Sequence, residues 1–374
     1  MKLKKGMRVI CSGGGTGGHI FPAVAVAQEL KKRNPSTEVL FIGAKGKMEM
    51  SKVPKAGFKI KGLWISGFQR RLTFMNISFP FKLICSIFRA RSIIRDFNPD
   101  VVAGFGGFAS GAALWTAGKM NIPTLIQEQN SYPGVTNKIL GRSVNTVCTA
   151  YDASSKYFKG PKVVLTGNPV RAMNKGNMLN SDARIALGLE GNKKTIMIIG
   201  GSLGAKSMNE ALRSGVDEIR KWEDVQVIWQ CGGAYYGDYK DCETAKLADV
   251  LLVEFIEDMD VAYAATDLVI CRAGALTISE LMILGKPAIL IPSPNVAEDH
   301  QTKNAKALVE LSAAVMVKDS EMNERLFVEI RRILDDDDVK NKLISRIKKL
   351  ARPNAPELIV DELEFLFNKR TKQE

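Results

Sequence analysis

At 374 residues the chain is too long for one ordinary hydrophobic core, and its 45% hydrophobic and 25% charged residues match an average soluble globular protein of two domains. The longest apolar stretches, such as Ala23–Ala27, fall far short of the roughly 20 residues that cross a bilayer, and the basic start Met1–Gly6 leads into a short strand, not a signal peptide's apolar core. The net charge of +13 is uneven: residues 1–100 hold 19 Lys and Arg against 5 Asp and Glu, which leaves the remainder at −1.

The first segment reads as strand, glycine loop, helix, with a buried strand over Met7–Cys11, a loop over Ser12–Gly18 and helical periodicity from Ile20 to Lys32. A second strand, Val39–Ile42, closes at Gly43. Asp100–Ala103 is a strand that runs into a glycine-rich turn and a helix through Lys119, and Pro123–Ile126 and Val163–Leu165 are further strands. The polar stretch Ala172–Asp182 reads as a linker. The pattern then restarts with strand Thr195–Ile199, loop Gly200–Gly204 and a helix from Ala205, followed by strands at Val225–Trp229, Asp267–Ile270 and Ala288–Ile291. Strands alternating with helices imply parallel sheets covered on both faces. We expect two doubly wound, Rossmann-like α/β domains, residues 1–171 and 172–374, facing a cleft, with the last helix packing back on the first domain. Ligands of open sheets sit at the carboxyl ends of strands, so both glycine loops should face that cleft.

The basic excess in residues 1–100 suits a polyanion, whether nucleic acid, an anionic membrane or a phosphorylated substrate, and it also suits plain solubility. Nucleic acid is disfavoured by the lack of zinc-finger spacing or an aromatic RNA-binding strand. Six scattered cysteines without a C-x-x-C pair argue for a reducing compartment and against a disulfide framework or zinc site, so a cytoplasmic protein is expected. In the first loop, Gly13, Gly15 and Gly18 satisfy G-x-G-x-x-G directly after a strand, with Glu38 about twenty positions on, which alone reads as a dinucleotide fingerprint. The loop is richer in glycine than that fingerprint requires, and it ends on His19 at a helix N-terminus, where the dipole disfavours an imidazolium. A neutral imidazole there is a general base; the other reading is a histidine that caps or fills the turn.

Taken together, Gly14–Ala23, Gly104–Phe108, Gln127–Asn130, Gly167–Arg171, Gly200–Ala205, Cys271–Thr277 with Glu280, and Asp299–Gln301 resemble, in order, the signature of the MurG family of N-acetylglucosaminyltransferases. These blocks span roughly residues 7–310. The resemblance implies a GT-B fold and transfer of GlcNAc from UDP-GlcNAc to lipid I, a membrane-anchored muramoyl-peptide lipid, giving lipid II and UDP in peptidoglycan synthesis. It also implies no cofactor, a peripheral place on the cytoplasmic face of the cell membrane, and other cell-wall synthesis proteins as partners. Other UDP-sugar enzymes of the fold, a glycolipid synthase or an epimerase, keep the donor side and change the acceptor. A nicotinamide oxidoreductase and a non-enzymatic membrane scaffold are the readings from other classes.

The leaving group of such a transfer is a nucleoside diphosphate, whose growing charge must be met by a metal or by fixed donors. Asp258-Met259-Asp260 has the letters of a metal-binding D-x-D motif, but it stands at an apparent helix start, where acidic residues are ordinary, and no metal is expected. Gly201–Gly204 and Ala275–Thr277 read as strand-to-helix turns whose amides bind phosphate, with Ser202 and Thr277 adding hydroxyls beside Ala275 and Leu276. Arg171, after a stiffening proline, is either a bidentate grip on the diphosphate or a surface residue at the domain junction. The resemblance further implies substrate binding by Thr16, Gly17 and Gly18, the Ile256 backbone on the uracil edge, Glu280 on the ribose hydroxyls, Gln301 on the donor sugar, and Asn130 reaching that sugar. Glu280 also reads as a helical glutamate paired with a base, and Asn130 as a turn residue. With His19 as the base, a role open to sharing by an acidic residue or by Asn130 through a water, and no carboxylate placed as a nucleophile, a single inverting displacement is expected. The segment Leu72–Phe97, with Phe81, Ile84 and Phe88 among Arg70, Arg71, Lys82, Arg91 and Arg95, reads as a membrane-surface element or as a core helix with a basic rim, and Pro80 starts or breaks a helix there.

Overall fold

Short strands that are apolar on both faces can be buried only if helices cover both sides of the sheet they form. In the computed structural model, which describes residues 6–66, 79–171 and 178–371, the strands form two parallel sheets of this kind, in two units.

The first unit comprises Met1–Ala172 and Arg352–Glu374. Its sheet is ordered β3-β2-β1-β4-β5-β6-β7, from β1 Arg8–Ser12, β2 Glu38–Ala44, β3 Lys59–Leu63, β4 Val101–Gly104, β5 Thr124–Glu128, β6 Thr146–Thr149 and β7 Lys162–Leu165. Helices α1 Gly17–Arg33, α2 Glu49–Lys55, α3 Phe79–Phe97, α4 Phe108–Lys119, α5 Val135–Leu140 and the single turn α6 Asp152–Ser155 connect them. Alternation along β1 sends Val9 and Cys11 to one apolar layer, with Val26 and Leu30 of α1, and Ile10 to the other, with Ile94 of α3 and Leu114 of α4. The order reverses at β1, which pairs with β2 on one side and β4 on the other. The loops leaving β1 and β4 therefore diverge over opposite faces and open a crevice at the carboxyl edge.

The second unit is Met173–Ala351. Its sheet runs β10-β9-β8-β11-β12-β13, from β8 Lys194–Ile199, β9 Val225–Gln230, β10 Val250–Val253, β11 Leu268–Cys271, β12 Ala288–Leu290 and β13 Val315–Met316, and it reverses at β8. Its helices are α7 Asn180–Ala186, α8 Lys206–Ser214, α9 Val216–Arg220, α10 Gly233–Tyr239, α11 Met259–Ala265, α12 Ala275–Leu284, α13 His300–Val309, α14 Met322–Asp335 and α15 Asp337–Lys349. Trp229, Ile198, Leu212 and Ile330 anchor its core. The final helix, α16 Ala355–Thr371, belongs to the first unit, where Ile359, Val360 and Leu363 join the apolar layer of α1 and Asp361 pairs with Arg33 at 2.6 Å.

Two expectations need correction or narrowing. The polar stretch read as a linker already contains the start of α7 at Asn180, while residues 172–177 lie outside the described residues. Arg70, Arg71 and the segment up to residue 78 also lie outside them; α3 starts at Phe79, with Pro80 in its first turn, where a missing N–H costs no helical bond. Among the described residues no helix is long and apolar enough to cross a membrane.

One half-buried cation in the second unit gives a stability test. Lys286 donates to the Thr266 carbonyl at 2.6 Å, and burial pushes its pKa down to about 8 against a smaller upward pull from Asp267. An unfolded chain keeps that proton up to about pH 10.5, so between the two values the unfolded state binds more protons and stability rises with pH. Wild type should therefore gain on Lys286→Met by up to about 3 kcal/mol between about pH 8 and about pH 10.5, read from urea unfolding at several pH values. A difference that stays flat across that window would show that the lysine titrates as in water.

Candidate active site

At the reversal point of the first sheet, the loops after β1 and β4 are stitched together: Phe105 N–H donates to Ser12 O at 2.7 Å, and Gly14 N–H to Gly106 O at 3.3 Å. Thr16 is the N-cap of α1, without a side-chain cap bond, and His19 is the third helical residue. Its Nδ1 lies 2.8 Å from Gly14 O and 3.4 Å from Thr16 Oγ1. A carbonyl can only accept, so Nδ1 carries the proton and the lone pair is on Nε2. The imidazole lies against Gly106, where an added Cβ would sit 2.9 Å from Nε2. The turn-filling reading of His19 describes this contact, and the contact also fixes which ring nitrogen carries the proton.

The same loop meets a fully buried carboxylate, Glu49 at the start of α2. Glu49 Oε2 accepts from Gly15 N–H at 3.0 Å and Oε1 from Ala44 N–H at 2.9 Å. A Cβ on Gly14 would overlap this carboxylate. The glycine therefore answers to a group of the protein, and the Gly15 amide is not left for a pyrophosphate, which removes the physical basis of the dinucleotide reading.

At the end of β5, side-chain amides form a buried chain. Gln127 Nε2 donates to Asn168 Oδ1 at 2.9 Å, Asn168 Nδ2 to Gln129 O at 3.0 Å, and Gln129 Nε2 to Phe105 O at 2.8 Å. Glu128 is buried beside them and accepts from Asn130 N–H at 2.9 Å, Asn137 Nδ2 at 2.7 Å and Gly134 N–H at 3.3 Å. Burial raises its pKa, and these donors oppose the shift. Asn130 is thereby held at the carboxyl edge, its side-chain amide also donating to Glu128 at 3.3 Å. Arg171 stands exposed beyond β7.

In the second unit, the loops after β8 and β11 border a cavity of about 920 Å³, lined by Gly200, Gly201, Gly204, Gly274, Thr277 and Gln301 among others. Gly204 adopts φ +77° and presses on the Cys231 carbonyl, a place where no side chain fits. Gly274 is the N-cap of α12, so the first turn of that helix, with Ala275, Leu276 and Thr277, starts at the edge of the cavity. Gln301 Oε1 accepts from Ser293 N–H at 2.8 Å, which leaves the donating end of the amide to the cavity. Ser202 is exposed on its loop. Glu280 lies one turn beyond Thr277, with Oε2 accepting from the Tyr263 hydroxyl at 2.9 Å, and Ile256 is buried after β10. Of the donor residues expected from sequence, Thr277 and Gln301 line this cavity; Ser202, Ala275, Leu276 and Glu280 stand on the loop and helix that border it, and Ile256 does not line it. Asp258 of the D-x-D letters is the N-cap of α11, its Oδ1 accepting from Asp260 N–H at 3.0 Å and Val261 N–H at 3.1 Å.

Sequence reasoning missed the wall opposite. Arg272 forms an ion pair with Asp319, and its Nη2 donates to Ser207 Oγ at 2.7 Å, which in turn donates to Asp319 at 2.9 Å. All three line the cavity. Arg272 stood in a recognised block, but its partners lie 65 and 47 positions away, beyond any local pattern.

A histidine at the switch point of one doubly wound unit, and a glycine-lined cavity at that of the other, fit a nucleotide-sugar transferase of the GT-B class. Residues 9–149 match the glycosyltransferase family 28 N-terminal domain and residues 195–359 the glycosyltransferase family 28 C-terminal domain. A Christiangramia forsetii protein named UDP-N-acetylglucosamine–N-acetylmuramyl-(pentapeptide) pyrophosphoryl-undecaprenol N-acetylglucosamine transferase is 48% identical over 369 residues, covering 98% of this chain and 100% of the relative. The crystal structure of Acinetobacter baumannii MurG aligns at TM-score 0.75 and 30% identity, over 96% of this chain and 99% of that one. A UDP-GlcNAc 2-epimerase from Neisseria meningitidis bound to UDP-GlcNAc, at TM-score 0.66 and 17% identity over 96% and 99% of the two chains, shares the fold alone. The chain belongs to the MurG family of family 28 glycosyltransferases.

The Arg272–Asp319 pair is nearly enclosed, with side-chain exposures of 12% and 23%. Arg272→Met, which leaves that carboxylate without its main partner, should lower the unfolding free energy by about 2–4 kcal/mol. Asp319→Asn keeps an oxygen acceptor for Arg272 and Ser207 and should cost less than about half as much. Urea unfolding of the two variants checks the order, and equal losses would show that charge is not what closes this wall.

Proposed function

We infer that this chain moves N-acetylglucosamine from UDP-GlcNAc to lipid I, undecaprenyl-diphospho-muramoylpentapeptide, giving lipid II and UDP with inversion at the anomeric carbon. What carries the reading is identity of 48% from end to end with a relative of that name. The cavity at the switch point of the second unit supports it.

In the first unit, His19 is the base, and Thr16, Gly17, Gly18 and Asn130 bind substrate. Nε2 takes the proton of the acceptor hydroxyl as its oxygen attacks the anomeric carbon, and the bond to UDP breaks on the opposite face. The Nδ1–H bond to Gly14 O then stabilises the imidazolium that forms. In the second unit, the growing charge of the diphosphate meets the amides of Gly201–Gly204 and of Ala275, Leu276 and Thr277, with the hydroxyls of Ser202 and Thr277. Arg171 adds a guanidinium to the diphosphate. Glu280, its rotamer held by Tyr263, takes the ribose hydroxyls, the Ile256 backbone reads the uracil edge, and Gln301 donates to the sugar.

The acceptor is a lipid, and α3 supports a peripheral place on the cytoplasmic face of the cell membrane. One face of α3, with Ser86, Ala90, Ile93 and Ile94, is buried in the core. The other presents Phe81, Ile84 and Phe88, at exposures of 69%, 52% and 68%, and then Arg91 and Arg95 along the same stripe. A core helix and a membrane-facing element are therefore two faces of one helix, and the basic residues that share the apolar side on a helical wheel are displaced along its length. Apolar groups can dip among acyl chains while the guanidinium groups meet anionic headgroups.

Labelled UDP-GlcNAc with lipid I should give a labelled lipid-linked disaccharide, and UDP should be released only when lipid I is present. His19→Ala should cut kcat by about 10²- to 10⁴-fold with the donor KM little changed. Lipid-independent conversion of the donor would instead favour an epimerase. Phe81→Ser with Phe88→Ser should weaken binding to anionic vesicles at all salt concentrations, whereas Arg91→Glu with Arg95→Glu should remove its salt sensitivity. Wild-type vesicle binding in both double variants would move the membrane contact off α3.

A further inference from the structure

We propose that Glu49 is a positioning residue for His19, acting through a single peptide group. The Gly14–Gly15 peptide is held at both ends: its N–H donates to Glu49 Oε2 at 3.0 Å, and its C=O accepts from His19 Nδ1–H at 2.8 Å. The order is carboxylate, peptide, imidazole. No proton passes along it, because the peptide stays neutral. The buried carboxylate polarises the amide, which makes the Gly14 oxygen a stronger acceptor and stabilises the protonated imidazole. The logic is that of a carboxylate oriented on a histidine, with a backbone amide set between them.

Glu49 is fully buried, so solvent does little to screen its charge. Both oxygens accept from amide N–H groups, which suits the ionised form. Other charged groups on the elements around His19 are exposed or engaged elsewhere. Lys45 and Lys47 precede α2, and Lys52 and Lys55 lie on it, all exposed. Arg33 and Asp361 pair at the far end of α1, roughly 20 Å along the helix. The Glu128 carboxylate is taken by Asn130, Gly134 and Asn137. Of these, Glu49 is the one bonded to the peptide that His19 holds.

The inference rests on His19 as the base of the proposed transfer, so its test reads the imidazole directly as well as turnover. The chain has two histidines, and the spectrum of His19→Ala assigns them. Removing the negative charge in Glu49→Gln disfavours the imidazolium. The His19 titration followed by NMR, and the acid limb of the pH–rate profile, should both move to lower pH. The kcat should fall by roughly 10-fold or more with the donor KM unchanged, while Glu49→Asp, which keeps the charge, should recover part of the loss. Activity lost in Glu49→Gln with the His19 titration unmoved would overturn the proposal and leave Glu49 as a brace for the loop. If the titration moves but His19→Ala still turns over, the coupling stands and the base assignment falls. Wild type supplies a check that needs no variant: neutral His19 should carry its proton on Nδ1 in its ¹⁵N spectrum, and the opposite tautomer would overturn the relay.

Discussion

A parallel sheet whose strand order reverses leaves one gap at its carboxyl edge that helices cannot cover, because the chain departs to opposite faces on either side. The chain has two such gaps, beside β1 and beside β8, and what can serve as chemistry lies along them. His19, Gly14 and Gly106 meet at the first, and Gly201, Gly204 and Thr277 stand at the second. Glycine gathers there for two physical reasons: Gly14, Gly106 and Gly204 have no room for a Cβ atom, and Gly201 adopts a positive φ that other residues rarely take.

Such gaps would be soft if their walls were held by apolar packing alone. They are held by polar groups that satisfy one another away from water. In the first unit the Gln127–Asn168–Gln129 chain ties the ends of several strands together, and Glu49 and Glu128 each gather loop amides. In the second, Arg272, Ser207 and Asp319 close a triangle beside the cavity. Such buried polar networks fix one geometry, because alternative arrangements strand further donors or acceptors away from water.

This division explains what could be read from the sequence. Continuous apolar runs such as Thr195–Ile199 announced the interior strands, and the restart of the pattern announced a second sheet. β3, β10 and β13 escaped notice because edge strands are half-exposed and short; Lys59–Leu63 alternates lysine with apolar residues, and Val315–Met316 is two residues long. β6 is fully buried yet only four residues, with threonine at both ends. α1 begins at Gly17, ahead of the expected Ile20, because the Thr16 carbonyl already accepts from the His19 and Ile20 N–H groups. A strand–loop–helix pattern singled out His19 and Thr277 in the sequence, and the family resemblance singled out Gln301. Glu49 was not, since it reaches the loop across 34 residues and its role depends on which side of a peptide it touches.

The path of the chain has a consequence for its birth on the ribosome. Residues Met173–Ala351 form one contiguous unit, but the first unit is interrupted and receives α16 only from the far end of the sequence. Until that helix emerges, the apolar layer over α1, with Val26 and Leu30, lacks Ile359, Val360 and Leu363. At about 5–20 residues per second, synthesis of the intervening stretch takes on the order of 10–40 s, a long wait for an open apolar groove among chaperones and other nascent chains. The unit synthesised first is thus the one completed last.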